Sequence, residues 1–109
     1  MKSFEAELRE MRREYVVESA ARLTQLQELI DAAVTSGDPA ALGPLSRKFH
    51  AFTGSGRTYG FDQVTVFGAE GEMLCDALRL AGVAPREGRR CMQDLHDRIA
   101  AALEADARA

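Results

Sequence analysis

Apolar residues recur at intervals of three and four along nearly the whole chain of 109 residues. This spacing matches the period of an α-helix, and no stretch keeps the apolar-polar alternation of a β-strand. The pattern therefore predicts an all-α protein. Because a chain of about 100 residues is the size of one domain, we expect residues 1–109 to fold as a single unit.

The first two helices are predicted from apolar stripes and from the turn residues between them. The first is expected over about residues 3–35, in one piece or as a short helix leading into a longer one, because its stripe shifts phase near residues 16–20. Gly37, Asp38 and Pro39 supply a helix stop, an N-cap and a first helical position for the second helix. The expected buried stripes are Phe4, Leu8, Met11 and Tyr15, then Leu23, Leu26, Ile30 and Ala33, and in the second helix Leu42, Leu45, Phe49 and Phe52.

A turn at residues 59–62 separates the second helix from a third, which fades at residues 81–85 before a fourth begins. Gly68 and Gly71 lie in the apolar seam of the third helix, where they would let two helices pack closely. The fourth helix carries Met92, Leu95, Ile99, Ala102 and Leu103, followed by the tail 105–109. Four helices joined by short loops predict an antiparallel up-down four-helix bundle.

The sulfur-containing residues are assigned to packing. Met11, Met73 and Met92 are expected in the core or at its boundary. Cys75 and Cys91 fall at or near apolar helical positions without CxxC spacing, so they are predicted to be reduced, buried thiols.

Composition excludes several function classes. A formal net charge of −3 and a pI of about 5.4 disfavour nucleic acid as a partner, since a duplex-binding domain carries a broad basic face. No apolar stretch is long enough to span a bilayer, and residues 1–5 lack the apolar segment of a signal peptide. A cytoplasmic protein with no membrane contact is predicted. Neither a nucleotide-binding motif nor a cofactor is expected.

The candidate chemistry lies around His50. Gly54 follows this histidine by one turn, although a glycine inside a helix costs about 1 kcal/mol relative to alanine. A helical wheel places His50 about 120° from the centre of its helix's apolar stripe, so the imidazole is predicted to face solvent. The glycine then suggests that something must come close to the imidazole.

Positive charge surrounds this histidine. Arg47, Lys48 and Arg57 are the only ionic side chains between residues 39 and 61. Arg47 and Arg57 fall within about 60° of His50 on the wheel. Arg47, His50, Gly54 and Arg57 therefore form an exposed strip that is expected to attract anionic groups. Each cation alone is also compatible with an ordinary solvated surface.

Residues 49–61 resemble the phosphorylation segment of histidine-containing phosphotransfer (Hpt) domains, and the similarity extends over nearly the whole chain. His50, Gly54 and Gly60 match the family's spacing. Residues 58–61, Thr-Tyr-Gly-Phe, are similar to the Thr-aromatic-Gly-Phe segment found in the N-terminal phosphotransfer domain of chemotaxis-type histidine kinases. Thr53 departs from the pattern, because the family usually has a lysine there beside the phosphoryl group.

The resemblance implies a phosphorelay carrier with no catalytic activity of its own. His50 would accept a phosphoryl group from a histidine kinase and pass it to an aspartate of a response-regulator receiver domain, which holds Mg²⁺ on its own side. Glu72 matches the acidic residue that orients the histidine in chemotaxis-type domains. The remaining implied site residues are Gly54 and Gly60 for close approach, and Arg47, Lys48, Arg57 and Thr53 for contacts with the phosphoryl group or the partner.

Two other interpretations stay open at this point. One is a non-catalytic docking module with the same bundle, in which Thr53 reflects binding without transfer. The other is a metal site built from His50, His96, Cys75 and Cys91, but their spacings fit no ligand pattern, so no metal is predicted. For His96 itself a structural or solvent-exposed role is expected, and for Glu72 a plain surface carboxylate is the alternative to a bond with His50.

Overall fold

The computed structural model describes residues 3–108, and side chains over residues 3–106. Within this range the chain forms four α-helices: α1 (Phe4–Ser36), α2 (Leu42–Tyr59), α3 (Asp62–Leu80) and α4 (Arg89–Arg108). Short 3₁₀ turns at Pro39–Ala41 and Pro85–Gly88 precede α2 and α4. Helix α1 packs on α2 and α4, and α3 packs on the same two helices, which closes a four-helix bundle. The predicted fold class is confirmed.

The helix ends follow the capping residues in the sequence. The Ser3 side chain accepts a hydrogen bond from the Ala6 N–H at the start of α1, and Gly37 ends the helix at φ 69°. Asp38 caps the following 3₁₀ turn through the Ala40 N–H at 2.9 Å. Helix α4 continues through Arg108, so the predicted tail is helical up to that residue, and Ala109 lies outside the described residues.

Helix α1 takes the one-piece form of the two that were predicted, but its first turns depart from prediction. It runs unbroken over 33 residues, because its sequence holds no glycine or proline to interrupt it. At about 1.5 Å per residue it is about 50 Å long, much longer than its neighbours. Phe4, Leu8 and Met11 are therefore exposed rather than buried, and only Tyr15 of that predicted stripe enters the core.

Tyr15 ties α1 to the turn between α2 and α3. Its ring stacks on Tyr59 with centroids 4.7 Å apart, and its hydroxyl lies 2.8 Å from the Ser55 hydroxyl. One turn earlier, Arg12 lies over the Phe61 ring and donates to Asp106 of α4 at 2.7 Å. These contacts hold the end of the bundle at which the α2–α3 hairpin turns.

The sulfur residues divide between core and surface. Met92 and Cys75 are fully buried, as predicted, whereas Met11 and Met73 are largely exposed. The prediction of a buried Cys91 is also wrong, because this thiol is exposed. It directly precedes Met92, and consecutive residues lie about 100° apart around a helix, so Met92 takes the inward position and Cys91 faces out.

Helices α2 and α3 approach most closely, as the glycines predicted. A Cβ on Gly68 would lie 2.7 Å from the Thr53 backbone nitrogen, and one on Gly71 would overlap the Phe49 ring. A two-residue turn joins the helices, so they run antiparallel and their registers are fixed by these contacts. No helix among the described residues is long and apolar enough to cross a membrane.

Candidate functional site

The register of the α2–α3 hairpin brings His50 opposite Glu72. His50 Nδ1 lies 2.9 Å from one carboxylate oxygen of Glu72 and 3.1 Å from the other. A carboxylate only accepts hydrogen bonds, so Nδ1 is the nitrogen that donates. The Glu72 acceptor thus indicates the tautomer of the neutral ring that carries its proton on Nδ1, which leaves a free lone pair on Nε2.

The imidazole is largely open to solvent, whereas the carboxylate that it contacts is half-buried. The His50 side chain is 70% exposed and that of Glu72 is 31% exposed. The wheel prediction of a solvent-facing histidine is therefore matched by the structure. A group held at one nitrogen and accessible at the other is suited to react with a second macromolecule.

Gly54 leaves the surface beside His50 open. It is exposed, has an ordinary helical backbone, and a Cβ built on it would meet nothing within 4 Å. Neither the backbone nor the packing of this chain requires glycine there. The missing side chain instead leaves bare helix surface one turn from the imidazole.

Gly60 was assigned to the close approach of a partner, but the structure gives another reason for a glycine at this position. It adopts φ 79° and caps α2, and a Cβ on it would contact nothing within 4 Å. The left-handed conformation, which side chains disfavour, accounts for this glycine. A lack of space within this chain does not account for it.

A third glycine in this segment escaped the sequence analysis. Gly56 is buried, and a Cβ on it would lie 2.8 Å from Thr65 Oγ1 and 2.9 Å from Thr65 N. It is therefore a glycine of this segment that α2 needs in order to pack closely on α3. Its position one turn after Phe52 on the apolar stripe is the signal that would have found it.

Thr53 faces α3 rather than the space beside His50. Its side chain is half-buried, and its hydroxyl donates to the Phe49 carbonyl at 3.2 Å. It lies against Gly68, which has no side chain to push it outward. The hydroxyl is thus used within the hairpin.

The three cations around His50 have different surroundings. Lys48 donates to Gln25 of α1 and so is turned away from His50. Arg47 leans towards the start of α2, with Nη1 3.8 Å from where a Cβ on Gly43 would lie, as helical side chains commonly do. Arg57 is exposed one turn beyond Gly54, and neither arginine forms an ion pair among the described residues.

The second histidine is built into the contact between α1 and α4. His96 Nε2 lies 3.1 Å from the Leu23 carbonyl oxygen and Nδ1 lies 2.9 Å from Asp97 Oδ1. Hydrogen bonds from His96 and Gln93 lower the pKa of Asp97 below its usual range. His96 therefore has the structural setting expected for it, and no three metal-ligating side chains cluster among the described residues.

One comparison with known proteins identifies a family for this chain. The Hpt domain family matches residues 10–108, which is nearly the whole chain. No curated protein and no solved structure matches the chain. The chain belongs to the Hpt domain family, whose members serve as histidine phosphocarriers in two-component signalling.

Proposed function

We propose that this chain is a phosphorelay carrier in which Nε2 of His50 accepts a phosphoryl group and passes it to an aspartate of a receiver domain. The carrying observation is the hydrogen bond between His50 Nδ1 and Glu72 at 2.9 Å on an imidazole that is 70% exposed. This bond keeps the ring proton on Nδ1 and leaves Nε2 free for a partner.

The chemistry follows from this arrangement. The lone pair of Nε2 attacks the phosphorus of the donor, and the bond from phosphorus to the donor atom breaks with its electrons. The ring gains positive charge as the bond forms, and the Glu72 carboxylate at Nδ1 stabilises that charge. Attack by an aspartate oxygen of the receiver then breaks the nitrogen–phosphorus bond, and the ring returns to its neutral form.

Family membership supports a receiver and a kinase as the partners. Transfer needs charge neutralisation around the phosphoryl group, and the receiver's Mg²⁺ supplies it from the partner side. A histidine kinase is the proposed first donor, and the cytoplasm is the proposed location. The bare surface at Gly54 gives the partner's loops room near the imidazole.

We also assign the domain to the kind found at the N-terminus of chemotaxis-type kinases. The support is the Thr-Tyr-Gly-Phe segment at residues 58–61 together with the bond from His50 to Glu72. This assignment is finer than family membership and rests on these residues alone.

A docking module that binds without transfer is the second candidate, and Thr53 is the observation that favours it. The side chain at this position lies against α3, and Arg47 leans away from the imidazole. A phosphoryl group on His50 would then depend on the partner for its neighbouring cations.

Phosphorylation assays separate the two candidates. The chain would be incubated with phosphoramidate, and in parallel with ATP and purified histidine kinases from the same genome. We expect an acid-labile, base-stable label that maps to His50, is lost in His50→Gln and is retained in His96→Gln. Label that persists in His50→Gln contradicts the assignment. A wild-type chain that binds a receiver but takes label from no donor identifies the docking module.

A further inference from the structure

A concave surface lies between the first half of α2 and the last half of α3, beyond His50. Its lining includes Gly43, Ser46, Arg47, Asp76 and Arg79. Ser46 donates to Asp76 at 2.7 Å one turn from the His50–Glu72 pair, so this concavity continues directly from the proposed phosphorylation site.

Two arginines, one from each helix, line this surface. His50 opposes Glu72 and Ser46 opposes Asp76, so the same antiparallel register places Arg79 opposite Gly43. Arg47 Nη1 lies 3.8 Å from where a Cβ on Gly43 would be. Arg47 therefore enters the concavity from α2 beside Gly43, and Arg79 enters it from α3 beside Asp76.

Charge in the concavity is unbalanced. Among the described residues that line it, Asp76 is the one acid against two arginines. Arg79 Nη2 is 3.7 Å from Asp76 Oδ1, which is beyond hydrogen-bonding distance, and the Asp76 oxygen already accepts from Ser46. Arg47 has no ion pair among the described residues. Guanidinium donors thus remain available for planar anionic groups, above all carboxylates.

We propose that Arg47 and Arg79 form a second docking contact for the receiver, in which they bind acidic side chains of that protein. The contact lies about 10 Å from His50 along α2, since Gly43 precedes the histidine by about two helical turns. The proposal rests on the proposed function in taking a receiver as the partner. It would fix the direction in which the receiver lies across the hairpin and would select receivers with an acid at that point.

Binding is tested on the unphosphorylated chain, so the result does not depend on phosphotransfer. The probes are purified receiver domains encoded in the same genome, and the tightest binder is used for Kd measurements at 50 and 500 mM NaCl. We expect Arg47→Gln and Arg79→Gln each to weaken binding about threefold at low salt, and about tenfold together, as for exposed charge pairs. The differences should largely vanish at high salt.

Arg98→Gln is the matched control. This arginine lies on α4, and its side chain is 58% exposed and paired with Asp94. Urea unfolding would confirm that all variants fold. The proposal is overturned if no receiver binds, or if both concavity variants bind as tightly as the wild type. It is also overturned if their losses of affinity are no larger than that of Arg98→Gln or do not depend on salt. An unlabelled chain that still shows the arginine dependence would contradict the carrier function and leave this contact standing.

Discussion

At the scale of single residues, Glu72 decides which nitrogen of His50 is available. Both carboxylate oxygens lie within 3.1 Å of Nδ1, so small rotations of the carboxylate keep one bond intact. Glu72 is a positioning residue in the proposed reaction, because it acts through the imidazole and not on the phosphoryl group.

We predict that Glu72→Gln slows phosphorylation of His50 about five- to tenfold. The neutral amide gives up the charge-assisted bond, which is worth about 1 kcal/mol more than a neutral one. Labelling rates with phosphoramidate measure the effect, and imidazole nitrogen NMR should show a weaker preference for the Nδ1–H tautomer.

Glu70→Gln is the control for that measurement, because Glu70 is exposed on the same helix but faces away from His50. If Glu70→Gln slows labelling as much, the effect is one of general charge. An unchanged tautomer in Glu72→Gln would contradict the orienting role.

Sequence patterns predicted the residues of this site better than their directions. The wheel placed His50 in solvent, and family spacing identified Glu72. The sequence did not predict that Lys48 bonds to Gln25 or that Arg47 leans over Gly43, because the direction of a side chain depends on the neighbouring helix and on its rotamer. The direction of the Thr53 side chain was not predictable for the same reason, since its contact with Gly68 lies across the hairpin.

At the scale of elements, the α2–α3 hairpin positions the site through its glycines. Gly56, Gly68 and Gly71 all lie where a Cβ would meet the opposite helix closer than ordinary contact. Gly54 lies on the same hairpin but faces open space. Substitution of glycine by alanine is therefore expected to destabilise the fold at Gly71 and to stabilise it at Gly54.

We predict that Gly71→Ala lowers the free energy of unfolding by about 1–3 kcal/mol, because the new methyl group would overlap the buried Phe49 ring. Gly54→Ala should instead raise it by up to about 1 kcal/mol, since alanine is the better helix former and nothing opposes it. Urea denaturation of both variants provides the comparison. Equal effects of the two substitutions would show that the hairpin adjusts freely and that Gly71 does not fix its spacing.

Helix limits were the most predictable part of the fold, because capping residues act locally. Gly37 and Gly60 end α1 and α2 where expected. Asp38 was predicted to cap the second helix, but it caps the 3₁₀ turn that precedes α2, which itself begins at Leu42. The first turns of α1 were not predictable in the same way. Periodicity shows that Phe4 and Leu8 share a face, but only the lengths of the other helices determine whether anything covers that face.

At the scale of the whole molecule, the bundle seals a core next to a reactive surface. Cys75 lies one turn from Glu72 on α3, yet it is fully buried and its thiol points to Met92 Sδ at 3.8 Å. Burial first, and then the charge of Asp76, raise the pKa of Cys75 to about 12. Since the unfolded chain releases this proton first, folding stability should fall as pH rises from about 9 towards 12.

The two thiols should therefore report separately on the surface and on the opening of the bundle. Cys91 is exposed and should react readily with a disulfide reagent at pH 8. The thiolate is the reactive form, so buried Cys75, with its raised pKa, should react only when the bundle opens. Cys91→Ser isolates the slow reaction. If opening is fast relative to labelling, adding Gly71→Ala should speed Cys75 labelling by about tenfold for each 1.4 kcal/mol of stability lost. If Cys75 is labelled as fast as Cys91 in the absence of urea, the sealed core is contradicted. If Cys75 is labelled slowly and Gly71→Ala does not change the rate, then a local movement of α3 exposes this thiol while the packing of α3 on α2 stays intact.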